Sequence, residues 1–231
     1  MALILNIDTA TENASLALSK DDKLLELLKN PDQKDHAAWI HLAISSLMKK
    51  AGYSLSALNG IAVTAGPGSY TGLRVGMATA KGLCYVLKIP LIAESTLKVM
   101  AHSALQQLPD LISANGDGEI LLVPMVDARR MEVFAAVYDR QLNPMVPPSA
   151  MILTDESFRD FGGNNQLIFF GSGSTKFQKL GTNENFVFAE VTHDAGSLSY
   201  LSGKRFDKGD FADLAYAEPI YLKEFYTPPK K

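Results

Sequence analysis

Two short motifs each occur twice along the chain, in the same order. Residues 3–7 form an apolar strand candidate that ends at Asp8 and turns into an alternating run over residues 14–18. Residues 121–126 lead in the same way to Asp127, a tight turn and a second run over 133–137. Each half then carries a glycine loop behind a strand candidate: Gly66-Pro-Gly-Ser69 after residues 61–64, and Gly171-Ser-Gly-Ser174 after residues 167–170. The aspartates lie 119 residues apart and the loops 105 apart. Either motif alone is common, because Asp favours hairpin turns and Gly-x-Gly follows many strands. Their shared order at similar offsets points to an internal duplication.

A strand-rich half with a glycine loop opening a helix, present twice, describes an actin/hexokinase arrangement. The expected fold is therefore α/β: a duplicated actin-like (ASKHA, ribonuclease-H-like) fold, two lobes of mixed sheet with flanking helices and a cleft between them. The expected lobes are residues 1–108 and 119–231, split at a polar stretch with Pro109 and Asn115-Gly-Asp-Gly118. A passage of the chain back between lobes near its C-terminus is left open.

Local signals fill in this frame. Asp35 is placed to cap a helix with apolar residues at Ala38, Leu42 and Met48, closed by Gly52. Tyr70 to Leu87 reads as a long helix stopped by Pro90, and Ser95 opens another that runs to about Gln107. Pro144, Pro147 and Pro148 confine any strand there to a sheet edge. Residues 217–231 hold three prolines and end in a Lys pair.

The run Gly66-Pro-Gly-Ser-Tyr-Thr-Gly72 has the form of a phosphate cradle, with inward N–H groups and a helix N-terminus behind it. It lacks the Lys-Ser/Thr of a P-loop and the spacing of a dinucleotide fingerprint. A tight strand-to-helix turn is the competing reading. In the helix, Gly72, Gly76 and Ala80 fall at i, i+4 and i+8 and leave one face almost bare. Each interior glycine costs about 1 kcal/mol relative to alanine, so close backbone approach must be gained in return. That approach is either to the protein's own sheet or to another subunit. Leu73, Met77, Leu83 or Cys84, and Leu87 face the core on the other side. Asp8 and Asp127 could face each other across the cleft and hold magnesium, or each could simply finish a strand and cap a turn.

Other chemistry finds little support. His36 and His41 are five residues apart, which points their rings about 140° apart on a helix, so no metal pair forms. His102 and His193 are isolated. Ser69 has no visible His and Asp partners. The lone Cys84 makes neither a disulfide nor a metal cluster and reads as a core residue. No cofactor is expected. Net charge is −3, which gives no general attraction for nucleic acid. The opening segment lacks a basic stretch and no apolar run approaches a membrane span, so a cytoplasmic protein without membrane contact is expected.

The stretch Gly66 to Leu83 resembles the bacterial TsaB (YeaZ) family, the tRNA threonylcarbamoyladenosine biosynthesis proteins. Ile4-Leu-Asn-Ile-Asp-Thr-Ala-Thr11 and Val126-Asp-Ala-Arg-Arg-Met-Glu-Val-Phe134 fit the same family. The resemblance implies a non-catalytic paralogue of TsaD, without that relative's metal-binding histidine pair. It implies pairing with the catalytic TsaD-type subunit through the first two helices. A TsaE-type ATPase would join the full complex, tRNA would be met only indirectly, and the chain alone would form a homodimer. The complex would form N6-threonylcarbamoyladenosine at position 37 of ANN-decoding tRNAs. On these helices the expected interface is Trp39, Leu42, Gly72, Leu73, Gly76, Met77 and Ala80. Asp8, Thr9, Gly66, Gly68 and Ser69 are then vestigial phosphate-loop positions. An active ASKHA-type ATPase or small-molecule kinase is the alternative.

Overall fold

The computed structural model describes residues 2–21, 23–30, 35–113, 118–181 and 183–223. The loop segment 115–117 and the terminal prolines Pro228 and Pro229 lie outside them. The first half opens as a meander, β1 (Leu3–Asp8), β2 (Ser15–Lys20) and β3 (Lys23–Lys29). Helix α1 (His36–Ala51), β4 (Gly60–Gly66), α2 (Tyr70–Leu87) and β5 (Leu91–Ser95) follow. Helices α3 (Thr96–Gln107) and α4 (Pro109–Ile112) lead to the second half. There β6 (Ile120–Asp127), β7 (Glu132–Tyr138) and β8 (Pro144–Ile152) form a second meander. The chain continues through β9 (Gln166–Phe170), α5 (Ser174–Gln178), β10 (Phe186–Phe188) and α6 (Ala195–Asp207).

The two sheets have one topology. Their strand orders are β3-β2-β1-β4-β5 and, read from the other edge, β8-β7-β6-β9-β10. In each, the meander is antiparallel and the last two strands add in parallel. β1 and β4 are buried along their whole length, as expected of central strands covered on both faces. The duplication is therefore a property of the fold. The second half is stripped down: a single 3₁₀ turn at Arg159–Phe161 stands where the first half has α1, and α5 has five residues against the eighteen of α2.

The helix ends follow their local chemistry. Asp35 accepts a hydrogen bond from the Ala38 N–H (3.0 Å), and Gly52 closes α1 in the left-handed region at φ 75°. Such a cap is worth about 1 kcal/mol. The proline-rich β8 lies at a sheet edge, as its missing N–H groups require.

Three apolar layers result. α1 and α2 cover the outer face of the first sheet, and a cluster of Phe158, Phe169, Phe177, Phe186 and Phe188 fills the outer side of the second. Between the sheets, α3 and α6 share one layer with Ile4, Ile92, Leu122 and Phe170. α6 follows the second sheet in sequence but packs on the first, where Ser202 Oγ donates to Asn6 Oδ1 (2.6 Å). The chain then runs back along the first half, where Ala212 pairs with Leu91 beside the edge of β5.

His102 is buried in this middle layer, stacked on Tyr200 with centroids 4.6 Å apart. Burial pushes its pKa below the usual 6.5, against a smaller opposing hydrogen bond with the Ser197 backbone. The unfolded chain therefore takes up this proton at a higher pH than the folded one. Stability should fall as pH drops below about 6.5. Urea midpoints for the wild type should decline between about pH 7 and about pH 5, and His102→Gln should flatten that part of the decline. An equally steep decline in the variant would remove His102 from the account.

Candidate functional site

A cleft of about 1340 Å³ lies between the halves. Its walls come from the two Asp-turn hairpins, the Gly66–Ser69 loop, the first turn of α2, Gly171-Ser172 and residues 191–193. The structure thus brings both duplicated motifs to one place.

The glycine loop is filled by the protein itself. The Ser69 N–H donates to the Ala10 carbonyl at 2.7 Å. A Cβ at Gly68 would lie 2.1 Å from that same oxygen, and one at Gly72 would lie 2.1 Å from the Thr9 carbonyl. Thr9 Oγ1 donates to the Gly72 carbonyl (2.8 Å) and would stand 2.3 Å from a Cβ at Gly76. Gly66 sits at φ 121°, and Ile220 covers it from the far side. The loop glycines therefore serve close approach between two backbone segments. The Ser69 N–H, one of those a cradle would turn to an anion, is taken by the Ala10 carbonyl.

The two aspartates do not form a facing pair. Asp127 lines the cleft, and Asp8 is fully buried beneath it. Asp8 Oδ1 accepts from Thr64 Oγ1 (2.8 Å) and the Ala10 N–H (3.1 Å); Oδ2 has no hydrogen bond and lies 3.6 Å from His193 Nε2. Asp127 accepts from the Arg129 N–H (2.6 Å) and Lys176 Nζ (2.7 Å). Desolvation opposes the Asp127 carboxylate, but Lys176 and then the Arg129 N–H outweigh it and hold its pKa below the ordinary range. Of the two readings, the geometry favours the strand-end one: each acid is tied into its own hairpin.

α2 also corrects the expected docking face. Gly72, Leu73, Gly76, Met77 and Ala80 are all buried against the first sheet, where Gly76 meets Thr9, Val63 and Ile7. The small-residue face admits the protein's own β1 turn and is closed to any other chain. Cys84 continues this inner face; burial pushes its thiol up to about 12, so it is an inert core residue. The opposite face is open. Tyr85 and Val86 are 78% and 75% exposed, Ala78 is exposed, and a Cβ at Gly82 would meet nothing within 4 Å. On α1, Leu42 is 77% exposed, and Trp39 is half-buried against the same cluster. His36 and His41 do not converge: His36 bonds the Thr11 carbonyl and Asn30, and His41 is exposed. Among the described residues no group of three His, Cys, Asp or Glu could hold a metal, and no helix is long and apolar enough to cross a membrane.

Two contributors carried no sequence signal. His193 reaches Asp8 from the segment before α6. Tyr221 stacks on Tyr70 (centroids 5.3 Å) and accepts a hydrogen bond from Arg74 Nε (3.0 Å).

Two sheets of one topology, meeting at a cleft with their Asp-turn hairpins, define a duplicated actin-like α/β protein of the ASKHA class. A family model described as "TsaD: tRNA N6-adenosine threonylcarbamoyltransferase" matches residues 30–217. The chain is 29% identical to the tRNA threonylcarbamoyladenosine biosynthesis protein TsaB of Escherichia coli over 95% of its length and 94% of that protein's. It is 34% identical to TsaB of Bacillus subtilis over 95% and 93%. YeaZ from Pseudomonas aeruginosa superposes with a TM-score of 0.80 at 24% identity, covering 96% of this chain and all of that one. The chain belongs to this family, as one of its TsaB (YeaZ) members.

Proposed function

We propose that the chain is a non-catalytic subunit of the complex that forms N6-threonylcarbamoyladenosine in tRNA, pairing with a TsaD-type catalytic subunit. Family membership supports the coarse role, since the relatives at 29% and 34% identity are tRNA threonylcarbamoyladenosine biosynthesis proteins. The observation that carries the finer reading is the division of labour on α2. Its glycine face and the loop before it are filled by the protein's own Thr9 and Ala10, and elsewhere it exposes Ala78, Gly82, Tyr85 and Val86. A cradle occupied by the chain's own carbonyl does not suit phosphate chemistry. An exposed apolar helix pair suits docking. The proposed interface is Trp39 and Leu42 on α1 with Ala78, Gly82, Tyr85 and Val86 on α2. The same face would pair two copies when the partner is missing. A TsaE-type ATPase completes the assembly, and the net charge of −3 suits a subunit that meets tRNA only through its partners.

Reconstitution tests this. A TsaD-type subunit, a TsaE-type ATPase with ATP, an activated threonylcarbamoyl donor and substrate tRNA should form the modified nucleoside only when this chain is added. The isolated chain should show no ATP turnover with magnesium. Turnover by the chain alone, stopped by Asp8→Asn, would contradict the non-catalytic reading.

A further inference from the structure

The segment after α6 is held to the first half by bonds along its whole course. Its root is the Arg205–Asp210 pair (2.8 and 3.1 Å), with Arg205 also donating to the Ala93 carbonyl. Ala212 N–H donates to the Leu91 carbonyl (2.8 Å). Lys81 Nζ on α2 donates to the carbonyls of Ala215 (3.2 Å) and Ala217 (2.7 Å), and Ile220 N–H donates to the Ala65 carbonyl (2.7 Å). The far end is different in kind. Tyr221 lies at the cleft mouth against Tyr70 and Arg74, whose guanidinium also stacks over the Tyr70 ring at 4.3 Å. Lys223 then crosses to the second half and pairs with the Glu132 carboxylate at the start of β7.

From this we infer that residues 212–223 are a clasp that holds the cleft mouth closed, anchored on the first half and hooked to the second by Lys223–Glu132. The anchor is a set of directional bonds to backbone carbonyls. The hook is one ion pair with both side chains partly in water, where screening by salt is effective. The Tyr70–Arg74–Tyr221 stack is the catch that aims Lys223 across the gap. Strong anchoring with a weak hook fits a strap that releases the second half and stays on the first. The axis of that opening is the apolar layer of α3 and α6 beneath the cleft, which joins the halves at their base.

Distance measurement between spin labels tests the clasp. Labels on Glu12→Cys in the first hairpin and Thr175→Cys on α5 sit on opposite halves at exposed positions. The native Cys84 is buried and will not react. The wild-type background should give one narrow distance distribution, broadening as ionic strength rises. Lys223→Glu and Tyr221→Ala should each shift it to longer, broader distances at low salt. The swap Lys223→Glu with Glu132→Lys should restore the narrow distribution. Circular dichroism reports that each variant is folded. Distributions unchanged by Lys223→Glu and Tyr221→Ala, or a charge swap that fails to restore the wild-type one, would overturn the clasp.

Discussion

Gly76→Leu is expected to remove a large share of the protein's stability. A Cβ at this position would stand 2.3 Å from Thr9 Oγ1 and in contact with Val63 and Ile7. None of these neighbours is the free end of a flexible side chain. Thr9 is fully buried and spends its hydroxyl on the Gly72 carbonyl; Val63 and Ile7 belong to the two central strands. Leucine there must push α2 off the sheet and break the Thr9 bond. Overpacking costs about 1–3 kcal/mol, and an orphaned buried polar group about as much again. Their sum is a large share of the roughly 5–15 kcal/mol that holds a domain folded. Chemical denaturation should show a strongly lowered midpoint. Gly72→Ala should also be costly, because its Cβ would meet the Thr9 carbonyl, a backbone atom that has nowhere to go.

Substitution on the other face of the same helix should have the reverse effect. Leu42→Glu with Val86→Glu alters two side chains that stand about three-quarters in water. Stability should stay within about 0.5 kcal/mol per site. Pairing should fail, because two carboxylates would be carried into an apolar contact without partners. Truncation of a hot-spot residue costs about 2 kcal/mol or more, and two such losses together about 4 kcal/mol, so affinity should fall by about 100-fold or beyond. Gly82→Trp is the steric counterpart. Its Cβ would meet nothing within 4 Å, and its ring would occupy the space a partner helix would need. The contrast between Gly76 and Gly82, six residues apart on one helix, separates folding from docking.

Much of this architecture is written locally. Asp35 and Gly52 delimit α1 because capping and left-handed closure are decided within a few residues. The repeated Asp-turn hairpins disclose the duplication because each is a short-range device on a strand end. The edge position of β8 follows from its prolines. The meaning of the glycine spacing on α2 is not local. Gly72, Gly76 and Ala80 report that a backbone comes close, but a turn of the same chain and a helix of another leave the same trace. Only the fold identifies the visitor as Thr9. The facing of Asp8 and Asp127 fails for a related reason: sequence places both at strand ends but does not set how deep each lies. His193 and Tyr221 arrive by the return of the chain over the first half, at separations of 185 and 147 residues from Asp8 and Arg74, and no short pattern marks them.

The outer face of α1 and α2 is the proposed docking surface for a TsaD-type subunit. Titration calorimetry of that subunit with the wild type and with the Leu42→Glu, Val86→Glu variant tests it most directly. The wild type should bind saturably, and a variant whose thermal unfolding is unchanged should lose about 100-fold or more in affinity. Wild-type affinity in that folded variant would contradict it.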